Sequence, residues 1–190
     1  MSRFRAQRDA GEGGVILVEL VIVLPLLLML AFGLCDMGLA WRDKVTVETA
    51  ARAGARSGSN LGNVALTDYN ILQTVLSGLG SIPRGNVDEV VVFNADSSGT
   101  VPSQCKGGTP VSGLCNVYLP STFSLPSTSF GCNGGPDTWW CPTSRVVSQA
   151  AGTDYLGVYV KTHRSALTRL IAVGGFNISA TAVFRLEPQS

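Results

Sequence analysis

Val15 to Cys35 reads VILVELVIVLPLLLMLAFGLC, 21 residues with one charge, Glu19, and one proline, Pro25. At about 1.5 Å per residue the run covers roughly 31 Å, the thickness of a bilayer's hydrocarbon core. A core helix in a small domain carries a polar stripe, whereas here apolar residues occupy every face for several turns. The stretch therefore predicts a membrane-spanning helix. Pro25 would cost about 3 kcal/mol or more inside a water-exposed helix, but bilayer helices tolerate it, so a kink is expected there.

The rest of the chain fits one domain attached to that helix. It has 190 residues, 45% hydrophobic and 14% charged, with a mean hydropathy of +0.27. Removing a span leaves material for a single core. Fourteen Lys and Arg against thirteen Asp and Glu leave a formal charge of +1, too little basic excess to neutralise phosphates, so no nucleic-acid partner is expected. The single histidine, His163, excludes an imidazole-built metal centre, and no G-x-x-x-x-G-K-[ST] loop is present, so no cofactor and no motor activity are expected. A hydrolytic triad of Asp154, His163 and Ser165 is discarded: His163 and Ser165 are two apart and no G-x-S-x-G elbow exists. The chain reads as a non-enzyme without a small-molecule substrate.

Three processing fates compete for the apolar run. Arg3, Arg5 and Arg8 with a small-x-small site at Gly38-Leu39-Ala40 resemble a secretory signal, although the run exceeds the usual h-region of about 7–15 residues. A lipoprotein signal would use Cys35, but Leu34 stands where a small residue is expected. The third fate uses Gly13-Gly14 followed by Val15 and, at the fifth position, Glu19: a basic leader ending in glycine, then an apolar helix with one carboxylate, the pattern of a type IV prepilin. A carboxylate within a span is disfavoured by about 2.5–3.5 kcal/mol at the bilayer centre, so it usually has a partner. Cutting after Gly14 supplies one, because the new α-amino group of Val15 is positive at neutral pH and a neighbouring subunit's Glu19 can neutralise it. The plainer alternative is that Glu19 lies near the interface and offsets the helix dipole.

Five cysteines occur, Cys35 in the span and Cys105, Cys115, Cys132 and Cys141 in a Gly/Pro/Ser/Thr-rich stretch over 101–144. The even set predicts two disulfides; spacings without a C-x-x-C knuckle disfavour zinc. Three pairings are possible and the sequence does not choose, though the short closures Cys105–Cys115 and Cys132–Cys141 are the preferred guess. Lysines and arginines lie on both sides of the span and leave orientation open. Disulfides need an oxidising compartment, which puts the leader in the cytoplasm and the domain outside it.

After the span, residues 36–58 remain helix-compatible, with small residues at Ala50, Gly54 and Gly58 and Ala51 and Ala55 beside them, a flat face suited to close packing. Asp68 to Leu79 predicts a short amphipathic helix, stopped by Gly80 and Pro83. Strands are expected at Val87–Phe93, Tyr155–Thr162 and Asn177–Glu187, the last with Ile178, Ala180, Ala182, Phe184 and Leu186 on one face. Ser165–Ala172 is a helix or a connecting loop. The fold class is α+β and pilin-like: a long N-terminal transmembrane helix packed on a small antiparallel sheet with a disulfide-stapled loop. The expected domains are a leader over 1–14, a span over 15–35 and an extracytoplasmic domain over 36–190.

These residues resemble the TadE-like family, minor pseudopilins of the tight-adherence (Flp) pilus system in bacteria. The resemblance lies in GGVILVELVIVLPLLLMLAFGLCDMGLAW, AARAGARSG, DYLGVYVKTHRSALTRL and ISATAVFRLEP, about half the chain. It implies a single-pass inner-membrane protein, cut by a prepilin peptidase at Gly14-Val15 with Glu19 as the required acid. Its implied partners are other pilins, the peptidase and a pilus assembly platform. Val15 in place of Phe or Met, and the large Cys-rich loop, point away from filament body and towards a minor component. The competing reading is a secreted or membrane-tethered surface-binding module, using the Cys-rich loop with Trp139 and Trp140.

Overall fold

The computed structural model describes residues 12–96, 98–148, 152–166 and 174–187. Helix α1 spans Glu12–Leu61, 50 residues running unbroken through Pro25. Helix α2 spans Thr67–Gly78. Four strands follow: β1 Val87–Asn94, β2 Cys115–Tyr118, β3 Tyr155–Arg164 and β4 Phe176–Arg185. They form one antiparallel sheet in the order β2-β1-β3-β4. The α+β architecture expected from the sequence is thus the one found.

The two halves of α1 differ because their side chains differ. From Ile16 to Leu34 the large apolar residues stand exposed, projecting away from the domain. This is a candidate membrane span by length and hydropathy. From Asp43 onward the helix buries Val47, Ala50, Ala51 and Ala55. The small-residue row takes another helix, as its flatness suggests: a Cβ on Gly54 would lie 2.5 Å from Val75 Cγ2, and one on Gly58 2.6 Å from Ile71 Cδ1, both on α2. Glycine is needed there for space, so two backbones can approach. In return α2 buries Ile71, Leu72, Val75 and Leu76, close to the apolar stripe its sequence carries.

The other side of α1 lies along β4. Lys44 Nζ donates to the Ser179 carbonyl at 2.5 Å, Ser59 Oγ donates to the Arg185 carbonyl at 2.5 Å, and Glu187 N–H returns to the Ser59 carbonyl at 3.1 Å. Lys44 to Ser59 is about 22 Å of helix, and Ser179 to Arg185 about 20 Å of strand. Helix and strand therefore run side by side in the same direction. An edge strand with free carbonyls invites foreign pairing; α1 caps two of those carbonyls itself. Asp43 adds an ion pair to Arg164 at 2.5 Å, fixing α1 to β3 as well.

The sheet has a core on each face. On the helix side Val90, Val92, Leu156, Val158, Val160, Ile178, Ala180 and Ala182 meet α1 and α2. On the back Val91, Phe93, Val117 and Tyr159 pack with Cys105 and Cys115 of the stapled loop. Glu89 alternates in phase with Val91 and Phe93 and so faces the back, while a register shift between Val87 and Glu89 returns Val87 to the helix side. The Glu89 carboxylate accepts from the backbone N–H groups of Gly107 and Gly108 at 2.9 and 3.0 Å.

Three details depart from the sequence reading. Strand β2 lies inside the Cys-rich stretch, where no strand was expected; Cys115 carries both a disulfide and the ladder with Phe93. Strand β4 ends at Arg185, and Phe184 is exposed although Ile178, Ala180, Ala182 and Leu186 of the same alternation are buried; beyond the strand Leu186 bonds Asp154 and Glu187 turns to Ser59. Of Ser165–Ala172, only Ser165 and Ala166 fall among the described residues, and the leader is described only from Glu12.

Candidate functional site

The N-terminal end of α1 carries the residues that the sequence singles out. Helix α1 is described from Glu12, and the Gly14–Val15 junction lies within the helical residues next to that point. Gly13-Gly14 favours helix weakly, because glycine gives up more backbone freedom on ordering than any other residue. Gly14 is exposed and a Cβ there would meet nothing within 4 Å. One turn further, Glu19 is exposed among Ile16, Leu20 and Val23. Among the described residues it makes no hydrogen bond or ion pair within the protomer. A carboxylate presented this way is open to a cation from outside the chain.

Where the domain begins, Trp41 is 73% exposed and Arg42 is exposed beside it. Asp36, the one charge between Glu19 and Arg42, is instead 2% exposed.

At the far end of the domain both disulfides close short loops: Cys105–Cys115 and Cys132–Cys141. Cys35 is a free, exposed thiol in the apolar half of α1. The second loop is clamped by Asp137, fully buried, whose carboxylate accepts from the N–H groups of Gly131 at 2.7 Å and Cys132 at 3.2 Å. These bonds hold Cys132 at a φ of 68°, the left-handed region that non-glycine residues seldom occupy. Of the tryptophan pair, Trp140 is buried in the helix-side core and only Trp139, at 49%, faces out.

A buried polar network joins this loop to the helices, and nothing local in the sequence announces it. Asp68 on α2 receives the Tyr118 hydroxyl at 2.6 Å and Asn116 Nδ2 at 2.7 Å on one oxygen. Its other oxygen stands 2.7 Å from Arg145 Nη2 as an ion pair, both side chains fully buried. Asn116 also binds both ends of Trp140's backbone, accepting from its N–H and donating to its carbonyl at 2.8 Å each. Arg145 Nε and Nη1 are buried without an acceptor among the described residues; the Trp140 ring face, 4.1 Å from Cζ, lies against the guanidinium. Burial, with the Asp68 charge second, pushes the Tyr118 hydroxyl well above its usual pKa. The network is a structural fastening, since every member is closed off from solvent.

The residues of the discarded triad stand in separate contacts. His163 Nδ1 pairs with Asp88 at 2.6 Å, while Asp154 accepts from the Val146 N–H at 2.8 Å. Among the described residues no cluster of His, Cys, Asp and Glu is arranged to hold a metal.

Searches of curated proteins and of solved structures return no match. A family model does match, that of the TadE-like proteins, a structural, Tad-pilus-associated family. The match covers residues 14–56: Gly14, Glu19, the whole exposed apolar helix and its first contacts with the domain. The chain thus carries the TadE-like N-terminal region that its sequence resembles.

Proposed function

We propose that this protein is a minor pseudopilin-like structural component in the assembly of Flp, or tight-adherence, pili. It is held in the bacterial inner membrane by a single pass with its N-terminus in the cytoplasm. In this reading residues 1–14 are the leader, 15–35 the span and 36–190 the extracytoplasmic domain. A prepilin peptidase cuts between Gly14 and Val15, and Glu19 pairs with the α-amino group of a neighbouring subunit's Val15. Other pilins and an assembly platform are its partners.

The observation that carries the reading is Glu19: an exposed carboxylate without a partner among the described residues, on the apolar half of α1, one turn beyond an accessible Gly14. A charge so placed is costly in lipid until something neutralises it. The TadE-like match over the same residues supports the pilus setting, and the two disulfides support an oxidising compartment for the domain.

The test is the intact mass of the membrane-extracted protein from its host, together with pilus assembly by a Glu19→Leu strain. A chain beginning at Val15, and a variant that folds and inserts but no longer supports pili, is the expected result. A chain beginning at Trp41 would make residues 1–40 an ordinary signal peptide and leave Glu19 without a role. Normal pili in the variant strain would remove the pairing.

A further inference from the structure

The lipid-facing surface of α1 does not stop at Cys35. Beyond it Met37 is 59% exposed and Trp41 73%, and no charge breaks this surface before Arg42, because Asp36 is turned inward. From Ile16 to Trp41 the exposed face, apolar apart from Glu19, runs about 39 Å along the helix, roughly 9 Å more than a hydrocarbon core. Tilt alone absorbs such an excess only by bringing the base of the domain down to the membrane on one side. That base is a groove of about 350 Å³ between α1 and the start of β4, with Met37, Ala40, Trp41, Phe176 and Ile178 as its apolar lining and Lys44, Asn177 and Ser179 as its polar rim.

We propose that this groove is a lipid-binding surface: the base of the domain sits in the interfacial layer of the bilayer that α1 crosses, with a phospholipid chain lying along the groove. Trp41 then stands at headgroup depth, where indole rings are enriched. Arg42, exposed and without a side-chain partner among the described residues, meets the lipid phosphates, while Lys44, one turn above Trp41, closes the rim through the Ser179 carbonyl and Glu48. The occupant is a lipid of the same bilayer because Met37 and Trp41, which line the groove, also continue the exposed apolar surface of the helix. This inference rests on the anchoring role of α1 proposed above, and extends it by naming what the domain itself touches.

The experiment uses the full chain reconstituted into phosphatidylcholine/phosphatidylglycerol vesicles, with bromine quenchers placed shallow or deep along the acyl chain. Co-flotation with vesicles reports the anchor, and tryptophan quenching reports the groove. The expected result is co-flotation, with tryptophan emission quenched by the shallow bromines more than by the deep ones. Trp41→Phe should lose that quenched component while retaining co-flotation and the fluorescence of Trp139 and Trp140. Co-flotation with no bromine quenching, and Trp41 freely quenched by iodide in the water, would place the domain above the bilayer and overturn the proposal while leaving the anchor intact. Shielding of Trp41 from both bromine and iodide that appears only at high protein-to-lipid ratio would mean that a second copy fills the groove, and would also overturn it. Failure to co-float would remove the anchor and this inference together.

Discussion

Arg145 and Asp68 meet at 2.7 Å with neither side chain exposed to water, and through them the chain leading into β3 is tied to α2. Breaking a buried pair by removing one partner leaves the other charged and unsolvated, at a cost of about 3–5 kcal/mol. Asp68→Ala or Arg145→Ala should therefore destabilise the full chain by that amount, read from urea unfolding in detergent micelles. The double variant Asp68→Ala with Arg145→Ala should lose less than the two single losses added together. Strict additivity would show that the two groups do not depend on each other.

Tyr118 makes alkaline pH a probe of the same network. Its hydroxyl must stay protonated to donate to Asp68, and its folded pKa lies well above the ordinary value of 10.0. The unfolded chain thus loses this proton at lower pH than the folded one, so stability is full below pH 10 and falls as pH rises above it, by up to about 1.4 kcal/mol per pH unit. Unfolding midpoints at pH 9 and pH 11 should fall more steeply for the native chain than for Tyr118→Phe. Equal slopes would mean that Tyr118 ionises in the folded state as it does in the unfolded one.

The two disulfides should differ in access. Cys105 and Cys115 are fully buried in the cluster behind the sheet, while Cys132 and Cys141 are only partly covered. With graded reductant, alkylation and mass measurement, Cys132–Cys141 should open first. Each short closure contributes about 3 kcal/mol by restricting the unfolded chain. Replacing Cys105 and Cys115 by alanine should cost more than replacing Cys132 and Cys141, because it also empties part of the back cluster.

Gly157 on β3 lies under the ring of Phe93 on β1, its direct cross-strand partner. A Cβ there would fall 2.2 Å from Phe93 Cζ, in a ring that is fully buried. Gly157→Ala should cost about 1–3 kcal/mol through overpacking, measured by thermal melting. Adding Phe93→Leu should recover part of the loss; no recovery would place the strain elsewhere.

What the sequence revealed follows how far apart the deciding residues lie. Period and composition show α1, α2, β1, β3 and β4, because each carries its own apolar pattern over ten residues or so. The even cysteine count shows the stapled loops, and the apolar run with Glu19 marks the candidate site. Strand β2 escapes because four residues between a cysteine and a proline-containing turn carry too little alternation to stand out from loop. The Asp68, Asn116, Tyr118, Trp140 and Arg145 network escapes for another reason: Asp68 reads as an ordinary first-turn acid of an amphipathic helix, and its partners lie 48 and 50 residues away at Asn116 and Tyr118, with Arg145 farther still. The inward turn of Asp36 is hidden in the same way, so a hydropathy count ends the span at Cys35 when the exposed apolar face runs on to Trp41.

The side-by-side course of α1 and β4 also determines how the domain carries load. A subunit drawn out of or into a bilayer is pulled along its helix, and here that direction is also the direction of the strands. Tension entering through α1 reaches β4 at Lys44 and again at Ser59 and acts lengthwise on the β3–β4 ladder, whose ten residue pairs are loaded in shear together and not peeled one at a time. The Asp43–Arg164 pair stands where that tension first enters the sheet. The domain is thus arranged so that a pull along α1 loads its sheet lengthwise.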